Sequence, residues 1–388
     1  MPPLSPLFAL PWLIPYIVLP TLSRRRPLLS AEPPAAGRLV SVIVPARNEA
    51  RNIDPLLNSL RATTYTPVEF IVVDDRSTDG TAERLAAHAA VDGRIRLVAG
   101  DPVPDGWFGK PWACAQGARV ARGEYLVFTD ADTVHHPGTL GHAVGALQRS
   151  GVGMLTVVTG QVLITFWERV IMPHIWVPLG ARYFPARLNA ARRSRDVLAN
   201  GQFFLTTRAA YQQIGTHASV RGEVAEDVVI GQRFFESGLG VRMWWADDLI
   251  RTRMYTGLRE LIEGWSKNLY LGSRASFPDQ PVARALAPYI ILAGQVFWLI
   301  PVMGWILTGA AWAAWAAGFS LIFWTIVCAG MRIPAGYGLT WPLGAGMMAY
   351  LVIRSVLRGR RRVEWRGRTY TDVAGGRGQS QTVEGGHS

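Results

Sequence analysis

Short apolar runs followed by polar or amphipathic stretches fill the middle of the chain, whereas long apolar runs fill its two ends. Residues 40–53 begin with an apolar run that breaks at Pro45 and passes into a helical pattern, and residues 68–87 repeat this design. Residues 124–129 are again apolar, and β-branched or aromatic, apart from Glu124. These patterns predict buried strands, two of them followed by helices. Repeated units of this kind predict an α/β domain with a mainly parallel sheet.

Acidic residues stand where these predicted strands end. Asp75 closes the second strand, and Asp130 and Asp132 follow the third. Where the backbone turns at a strand end, carboxylates at i and i+2 can converge on one cation, and oxygen ligands suit Mg²⁺ or Mn²⁺. A solvated turn is the plainer interpretation of an isolated Asp-x-Asp pair. Because ligands of open α/β sheets bind beyond the carboxyl ends of the strands, three strands with polar ends favour a nucleotide pocket.

Five motifs occur together and in a fixed order in this part of the chain. They read PARNEA, VVDDRSTDGT, GWFGKPWACAQGA, FTDAD and AEDVVIGQRF. In this order they resemble the motifs of family 2 glycosyltransferases, which are inverting enzymes with the nucleotide-sugar-binding fold called GT-A. The resemblance covers roughly residues 38–280. It is greatest to membrane-bound enzymes that glycosylate lipids, among them the carotenoid and hopanoid-associated glycosyltransferases and ceramide glucosyltransferase.

Two further stretches refine the resemblance. VEWRGRTY, at 363–370, resembles the Trp-x-Gly-Arg-x-Tyr ending of the carotenoid branch. Gln-x-x-Arg-Trp, a motif of processive synthases and of ceramide glucosyltransferase, does not occur in the sequence, and EGWSKN at 263–268 is its nearest match. The missing motif argues against polymerisation of a sugar chain and leaves part of the acceptor site unassigned.

The resemblance implies a fold and a set of site residues. The expected fold is α/β, a GT-A domain with a mixed, mainly parallel sheet, with transmembrane helices at the N-terminus and the C-terminus. The residues implied to bind the nucleotide sugar are Pro45, Arg47, Glu49, Asp75, Lys110 and Asp130. Asp132, together with Asp130, is implied to hold Mg²⁺ or Mn²⁺. Glu226 and Asp227 match the acidic dyad of the family, with Asp227 as the general base. Acceptor contacts are implied for Asn200, Gln202, Trp265 and Lys267.

Some of these side chains also have a structural interpretation that the sequence leaves open. Glu49 and the acidic dyad stand early in predicted helices, where acids complement the helix dipole. Lys110, one of two lysines in the chain, follows a Gly-rich loop. Its ammonium can contact a diphosphate or a base carbonyl there, or be solvated at the surface. His135 and His136 follow the Asp-x-Asp pair but are not expected to join a hard, oxygen-ligated cation.

Long apolar stretches predict membrane segments at both ends. Residues 4–20, 287–307, 309–330 and 338–357 are each about long enough to span a bilayer. A signal peptide is the competing interpretation of the first, weakened by its prolines and its missing basic region. The expected domains are an N-terminal anchor (1–23), a linker (24–37), a catalytic domain (38–280) with an interfacial segment (161–185), C-terminal membrane helices (284–358), and a tail that is basic and then disordered (359–388).

Basic clusters at Arg24–Arg26 and at 358–362 flank the predicted membrane segments. The positive-inside rule places both in the cytoplasm, together with the catalytic domain, and predicts a multi-pass protein of the cell inner (plasma) membrane. Three full C-terminal spans would put the second cluster outside, so one apolar stretch is expected not to cross. The net charge of +12 suggests anionic lipids rather than nucleic acid as the partner, because the arginines gather at these boundaries.

The function expected from all of this is the inverting, metal-dependent, non-processive transfer of a sugar to a hydroxyl of a membrane lipid of carotenoid, hopanoid, sphingolipid or glycerolipid type. The Asp75 carboxylate suits an N–H of uracil or of guanine; a UDP-sugar is favoured over a GDP-sugar as donor. A polyprenyl-phosphate sugar synthase and a non-catalytic, nucleotide-sugar-binding membrane scaffold are the alternatives. A dinucleotide-dependent dehydrogenase is disfavoured, since no G-x-G-x-x-G follows the first strand.

Overall fold

A computed structural model describes residues 6–17 and 26–359 in full, and the backbone of 362–365, 368–371 and 379–381. The chain divides into two compact units. A helical unit combines the described parts of 1–25 with 163–184 and 255–359, and a sheet unit combines 26–162, 185–254 and the described parts of 360–388. The predicted catalytic domain, 38–280, therefore contributes residues to both units.

A mixed sheet forms the centre of the sheet unit. Its strands are β1 (Val40–Ala46), β2 (Val68–Asp74), β3 (Ile95–Ala99), β4 (Tyr125–Thr129), β5 (Thr133–His135), β6 (Met154–Gln161), β7 (Phe203–Thr207) and β8 (Val241–Thr252). Within the described residues, they lie in the order β3-β2-β1-β4-β7-β6-β8-β5. Strand β1 is parallel to β2 and β4, β2 to β3, and β6 to β8. Strand β7 is antiparallel to β4 and β6, and β5 to β8. The predicted mixed sheet is confirmed.

Helices connect these strands and build the second unit. In chain order they are α1 (Ala50–Arg61), α2 (Thr81–Val91), α3 (Gly109–Val120), α4 (Thr139–Ser150), α5 (Phe166–Tyr183), α6 (Pro185–Leu188), α7 (Arg208–Gln213), α8 (Glu226–Glu236), α9 (Leu258–Ala275), α10 (Pro281–Thr308), α11 (Ala311–Gly330) and α12 (Trp341–Arg358). Short 3₁₀ helices cover Pro6–Leu13, Leu29–Ala31, Ser194–Asp196, His217–Val220 and Ala335–Thr340.

The core of the sheet unit follows from the apolar spacing of its helices. Helix α1 places Ile53, Leu56, Leu57 and Leu60 on one face, at the spacing of an amphipathic helix. All four are at most 1% exposed and belong to the same apolar cluster as the side chains of β1 and β2. Burial of each such side chain contributes about 1.5–3 kcal/mol. This packing holds the polar turns beyond β1 and β2 in a fixed position.

Those two turns are tied together at the carboxyl ends of the strands. Ala46 of β1 lies beside Asp74 of β2, and the amide of Asp75 donates to the Ala46 carbonyl over 2.7 Å. Asn48 and Arg76 adopt left-handed conformations, with φ of 53° and 58°. The two turns lie side by side and bring the residues after β1 and β2 to one edge of the sheet, as the strand pattern predicts.

The helical unit has an aromatic core of its own. Trp12 stacks on Phe297 with ring centroids 4.6 Å apart, and Trp298 stacks on Phe323 at 4.9 Å. Two helices among the described residues are long and apolar enough to cross a membrane, α10 with 28 residues and α11 with 20. Helix α12 is not among them; its last two turns carry Arg354 and Arg358, which both pair with Glu263 of α9.

The predicted N-terminal membrane anchor is not supported by the described residues. An apolar helix there covers only Pro6–Ile17, and its first part is a 3₁₀ helix that contains Pro11. Proline has no amide hydrogen to donate, which disfavours a continuous α-helix. A helix of this length extends about 20 Å, short of the roughly 30 Å hydrocarbon layer. The predicted multi-pass topology is accordingly not supported either.

Part of the predicted tail has regular backbone. Arg362–Trp365, Arg368–Thr371 and Gln379–Gln381 form a small antiparallel sheet, as strands β9, β10 and β11. The rest of the tail that was expected to be disordered lies outside the described residues, as do Arg24 and Arg25 of the first basic cluster.

Candidate active site

Lys110 lies at the centre of a cluster of carboxylates in the sheet unit. Its Nζ is 2.8 Å from Oδ1 of Asp130 and 3.0 Å from Oε1 of Glu226. Burial by itself would lower the pKa of Lys110, but the charges of Asp130, Glu226 and Asp227 outweigh it and raise that pKa well above its usual value. The lysine is therefore a permanent positive charge among acids that come from two other motifs.

Helix α8 begins at the acidic dyad and fixes the position of Asp227. The amide of Val228 donates to Asp227 Oδ1 over 2.9 Å, and the amide of Gly201 donates to Oδ2 over 3.3 Å. Burial and the charge of Glu226 raise the pKa of Asp227 to about 6, against the opposing effects of Lys110 and the two amides. A carboxylate with a pKa close to neutral is suited to accept a proton from a substrate.

The segment before β7 contacts the backbone of Asp227. The Ala199 amide donates to the carbonyl of Asp227 over 3.1 Å. A Cβ on Gly231 of α8 would lie 2.4 Å from the Ala199 nitrogen, so glycine is needed for this close approach. A Cβ on Gly201 would lie 2.8 Å from Lys110 Nζ and 3.4 Å from Asp227 Oδ2. Glycine at these positions therefore allows the backbone to come within hydrogen-bonding distance of the acid cluster.

Asn200 and Gln202 flank this glycine, and their side chains contact β6. Asn200 Nδ2 donates to the Val157 carbonyl over 2.9 Å, and the Asn200 amide donates to Thr156 Oγ1 over 2.7 Å. Gln202 is 4% exposed, and its Oε1 accepts a hydrogen bond from Thr159. These hydrogen bonds hold both side chains against the protein itself, and their predicted contact with the acceptor stays a prediction.

The residues predicted to bind the nucleotide lie beyond β1 and β2. Arg47 Nη1 donates to the carbonyls of Asp75 and Arg76 over 2.6 and 3.0 Å. Glu49 Oε2 accepts from Asn52 Nδ2 over 2.6 Å. Asp75 is fully buried. The guanidinium of Arg47 therefore joins the turn after β1 to the turn after β2.

Asp132 lies in the turn between β4 and β5, two residues after Asp130. Its carbonyl accepts from the Arg253 amide over 3.2 Å. No group of three or more His, Cys, Asp or Glu side chains within the described residues could hold a metal ion. Asp130 and Asp132 are nevertheless a donor set that fits Mg²⁺ or Mn²⁺, because these ions bind through one or two carboxylates plus substrate phosphates and water.

The two histidines that follow lie near these acids in sequence. His135 Nε2 is 2.9 Å from Thr133 Oγ1 and 3.2 Å from Thr129 Oγ1, and burial lowers the pKa of His135 to about 4. His136 Nδ1 accepts from the Gly138 amide over 3.2 Å. These hydrogen bonds join both rings to neighbouring turn and strand residues.

A small recess that is partly open to solvent lies beside Lys110. Its lining comes from the ends of β1 and β4, from α3 and α8, and from the segments before β7 and α8: Pro45, Lys110, Cys114, Phe128, Thr129, Asp130, Gly201, Phe204, His217, Glu226, Asp227 and Ile230. Seven of these were not among the predicted site residues: Cys114, Phe128, Thr129, Gly201, Phe204, His217 and Ile230. Cys114 stands one helical turn after Lys110, a spacing that could have indicated it.

His217 forms part of the recess wall through a buried contact. Its Nδ1 is 2.8 Å from the Tyr211 hydroxyl, and its ring lies 4.7 Å from that of Phe128. Burial, with a smaller effect from Lys110, lowers the pKa of His217 to about 3, so the ring is neutral at physiological pH. No local sequence pattern marks this position, because the contact joins a 3₁₀ helix to β4.

The two remaining acceptor candidates, Trp265 and Lys267, lie on α9 in the helical unit. Trp265 is 8% exposed, and its ring meets Trp176 of α5 and Tyr255 edge to face at 6.4 and 6.2 Å. Helix α5, which covers most of the predicted interfacial segment, begins with a capping box between Thr165 and Glu168. Trp265 thus packs within its own unit, and an acceptor role stays a prediction.

Comparison with a solved structure identifies the fold of this protein. The mannosyltransferase PcManGT from Pyrobaculum calidifontis, solved in complex with GDP-Man and Mn²⁺, superposes with a TM-score of 0.55 over 90% of this chain and 94% of its own. At 23% sequence identity, this likeness shows the GT-A fold. The sheet unit, with its acid cluster at the strand ends, therefore has the GT-A fold.

Residues 41–215 match the model of the family described as Glycosyl transferase family 2. Residues 41–215 therefore form a domain of this family, as the motifs predicted. It is 29% identical to 4,4'-diaponeurosporenoate glycosyltransferase of Staphylococcus haemolyticus (strain JCSC1435) over 66% of this chain and 68% of that protein. The enzyme of the same name from Staphylococcus aureus (strain USA300) is also 29% identical, over 62% of this chain. That alignment spans 63% of the relative, somewhat less than two thirds of its length.

Proposed function

We propose that this enzyme transfers a sugar, with inversion and one residue at a time, from a nucleotide diphosphate sugar to a hydroxyl of a lipid. The observation that carries the proposal is the Asp227 carboxylate, held by two backbone amides beside Glu226 and Lys110. Inversion in one step needs a base that removes the acceptor proton. Asp227 has the burial and the pKa of such a base.

Each step of the reaction has a residue in this arrangement. The acceptor hydroxyl gives its proton to a carboxylate oxygen of Asp227 as it attacks the anomeric carbon. The ammonium of Lys110 offsets the charge of the acids around it, so that an anionic diphosphate can approach them. Asp130 and Asp132 would hold a divalent cation, which when bound supplies charge stabilisation for the leaving diphosphate.

The donor is proposed to bind the turns after β1 and β2. Arg47 fixes these turns by its hydrogen bonds to the carbonyls of Asp75 and Arg76. Asp75 can accept from the N–H of either uracil or guanine. A UDP-sugar is our first candidate and a GDP-sugar the second, which is the donor class named for PcManGT.

A lipid acceptor and membrane association are supported by two observations. The curated relatives are named for 4,4'-diaponeurosporenoate. Helices α10 and α11 are apolar and long enough to enter a bilayer. We place the protein at the inner (plasma) membrane with the sheet unit on the cytoplasmic side, because arginines flank the apolar helices.

The name of the relatives also favours a second candidate. The ending "-oate" denotes a carboxylate, and a carboxylate or phosphate acceptor is already deprotonated near neutral pH. Such an acceptor needs no strong base. A polyprenyl phosphate is an acceptor of this kind, and an enzyme that used it would be a polyprenyl-phosphate sugar synthase.

One experiment separates these possibilities. Purified protein is incubated with labelled UDP- and GDP-sugars and extracted lipids, and the glycolipid is identified. With a hydroxyl acceptor, Asp227→Asn should lower transfer by about 10²-fold or more while donor affinity stays within about twofold. Asp248→Asn, at an exposed carboxylate of β8, is the matched control and should leave transfer unchanged.

The remaining outcomes of the same assay are also decisive. A small effect of Asp227→Asn would indicate an acceptor that is already anionic. Loss of activity in EDTA, restored by Mn²⁺ or Mg²⁺, is expected from the metal assignment, and full activity in EDTA contradicts it. A protein that binds donor but neither transfers nor hydrolyses it would be the scaffold instead.

A further inference from the structure

Two parts of the sheet unit cover the same edge of strand β8. The side chain of Asn189 pairs with the Met243 backbone: its Nδ2 donates to the carbonyl over 2.9 Å, and its Oδ1 accepts from the amide over 2.7 Å. The Trp245 amide donates to the Pro27 carbonyl over 2.7 Å. Residues two apart in a strand direct their backbone groups to the same side. Asn189 and Pro27 therefore lie next to each other along this edge.

Three exposed arginines lie close to Asn189 in the chain. The segment 185–196 contains four arginines and one acidic residue. Asn189 fixes this segment on β8, whereas Arg187, Arg192 and Arg193 are exposed. Within the part of the chain that the structure describes, no carboxylate pairs with any of these three. Their charges are therefore available to an anionic partner outside the chain.

Arg26 adds a fourth exposed guanidinium group to the same edge. It directly precedes Pro27, and its Cζ lies 4.7 Å from the ring centroid of Trp245. The acidic residues of β8 come after Trp245, at positions 247 and 248. The positive surface therefore lies along the first half of the strand. We call its four residues the basic edge: Arg26, Arg187, Arg192 and Arg193.

The basic edge lies where the chain passes from the helical unit into the sheet unit. Arg26 is the first residue after the segment 1–25 of the helical unit, and Pro185 is the first after 163–184. Three residues of chain separate Phe184 from Arg187, which spans at most about 11 Å. The helical unit contains the apolar helices α10 and α11. A bilayer that holds this unit would therefore be within reach of the basic edge, which favours lipid headgroups over a soluble anion.

We propose that the basic edge docks on the anionic headgroups of the membrane surface. Arginines at such a surface are attracted by its negative potential, and the attraction of several arginines adds up. The contact needs no single lipid site, because the arginines can each meet a different headgroup. The inference rests on the membrane association proposed above and is independent of the transfer chemistry.

The test measures contact between the basic edge and headgroups in nanodiscs that contain the full chain. Ala190→Cys, at an exposed position between the arginines, carries a fluorophore, with Cys114 and Cys328 replaced by Ala. A spin label on a phosphatidylcholine headgroup quenches the fluorophore only at short range. Quenching should be stronger in nanodiscs that also contain phosphatidylglycerol than in pure phosphatidylcholine. It should weaken in about 1 M salt, where the Debye length is about 3 Å.

Replacing Arg187, Arg192 and Arg193 together by Gln should remove the effect of phosphatidylglycerol. Each arginine at the surface contributes about fivefold to docking, so the three together contribute on the order of 100-fold. The matched control replaces three exposed arginines elsewhere in the sheet unit by Gln, Arg96, Arg119 and Arg233. Arg96 lies on β3, at the opposite end of the sheet from β8 and β5. The control loses the same charge and should be quenched as the unsubstituted arginine background is.

Several outcomes would overturn the proposal. Equal quenching with and without phosphatidylglycerol would do so, as would equal losses in the two triple variants. If the basic edge bound a short DNA duplex and phosphatidylglycerol had no effect, its partner would be a nucleic acid. A chain that enters nanodiscs without quenching contradicts this inference alone, whereas a chain that does not enter them contradicts the membrane association as well. Donor hydrolysis, measured on the same samples, reports separately on the proposed chemistry.

Discussion

At the residue scale, the protonation of Asp227 sets a limit on activity in acid. The pKa of this carboxyl is raised to about 6, chiefly by burial and then by the charge of Glu226. Below that pH the group carries a proton and cannot accept another, so a hydroxyl acceptor stays protonated. The enzyme should therefore lose activity as the pH falls through about 6 and keep it above.

This pH dependence is measured as kcat/KM, which reports on groups of the free enzyme. On a logarithmic scale it should fall with a slope of about one per pH unit below pH 6. Asp227→Asn should abolish the slope and leave only low residual activity. If the wild-type protein stays folded and keeps constant activity down to pH 5, Asp227 is ruled out as the titrating base.

A second prediction at the residue scale concerns Gly201. In Gly201→Ala the new Cβ would lie 2.8 Å from Lys110 Nζ, so the ammonium must move away from Asp130 and Glu226. Transfer should drop by about 10- to 100-fold, because small displacements of catalytic groups are costly. The melting temperature should change little, since the flexible end of Lys110 can relieve the contact. Gly93→Ala, where a Cβ meets nothing within 4 Å, is the control; a similar loss there would contradict the explanation.

At the element scale, the N-terminal helix has the contacts of a packed element. Trp12 is 5% exposed and stacks on Phe297 of α10, and the Tyr16 hydroxyl donates to the Phe319 carbonyl of α11 over 2.5 Å. Phe8, one turn earlier, is 57% exposed. The helix therefore has a buried side against α10 and α11, and an outward side.

Truncation of Trp12 tests this packing. Trp12→Ala should destabilise the helical unit by about 3 kcal/mol or more, the usual cost of removing a buried aromatic side chain. Phe8→Ala should cost much less. Both are followed by thermal unfolding in detergent. Equal and small effects would mean that the helix contributes only an apolar surface, as a simple anchor would.

At the scale of the whole molecule, the helical unit is assembled from distant parts of the chain. Its segments 163–184 and 255–359 are separated by strands of the sheet unit. If α10 and α11 both cross the bilayer, the turn between them lies on the side opposite to their outer ends. Three exposed positions report on this arrangement, Asp279 before α10, Thr308 at the end of α10, and Gly336 after α11.

Single cysteines at these positions, in a background with Cys114 and Cys328 replaced by Ala, give the topology. In intact cells a membrane-impermeant thiol reagent should label Thr308→Cys but neither Asp279→Cys nor Gly336→Cys. Lysis should expose all three. Labelling of Asp279→Cys and Gly336→Cys, with protection of Thr308→Cys, would invert the orientation. Equal protection of all three would mean that the helices do not span.

Much of the fold follows from local patterns that the sequence alone contains. Apolar runs mark strands β1, β2 and β4, and amphipathic periods mark helices α1 and α2, which follow β1 and β2. These patterns are visible in the sequence because the burial of one face depends on the order of side chains along the chain. Family membership also follows, since five ordered motifs carry it. The predicted N-terminal anchor is not supported by the described residues, because the apolar composition of residues 4–20 does not reveal that Pro6–Leu13 form a 3₁₀ helix with Pro11 inside it.

Only the tertiary structure decides how these parts act together. Lys110 meets Asp130 and Glu226 through long-range packing of α3, β4 and α8, and no spacing in the sequence gives those distances. The raised pKa of Asp227 depends on burial, which exists only once α8 packs against the segment before β7. The recess wall at His217 arises in the same way. The sequence by itself determined the elements, the family and most acids of the site; the tertiary structure decided their geometry and charge state, because those depend on contacts between residues far apart in the chain.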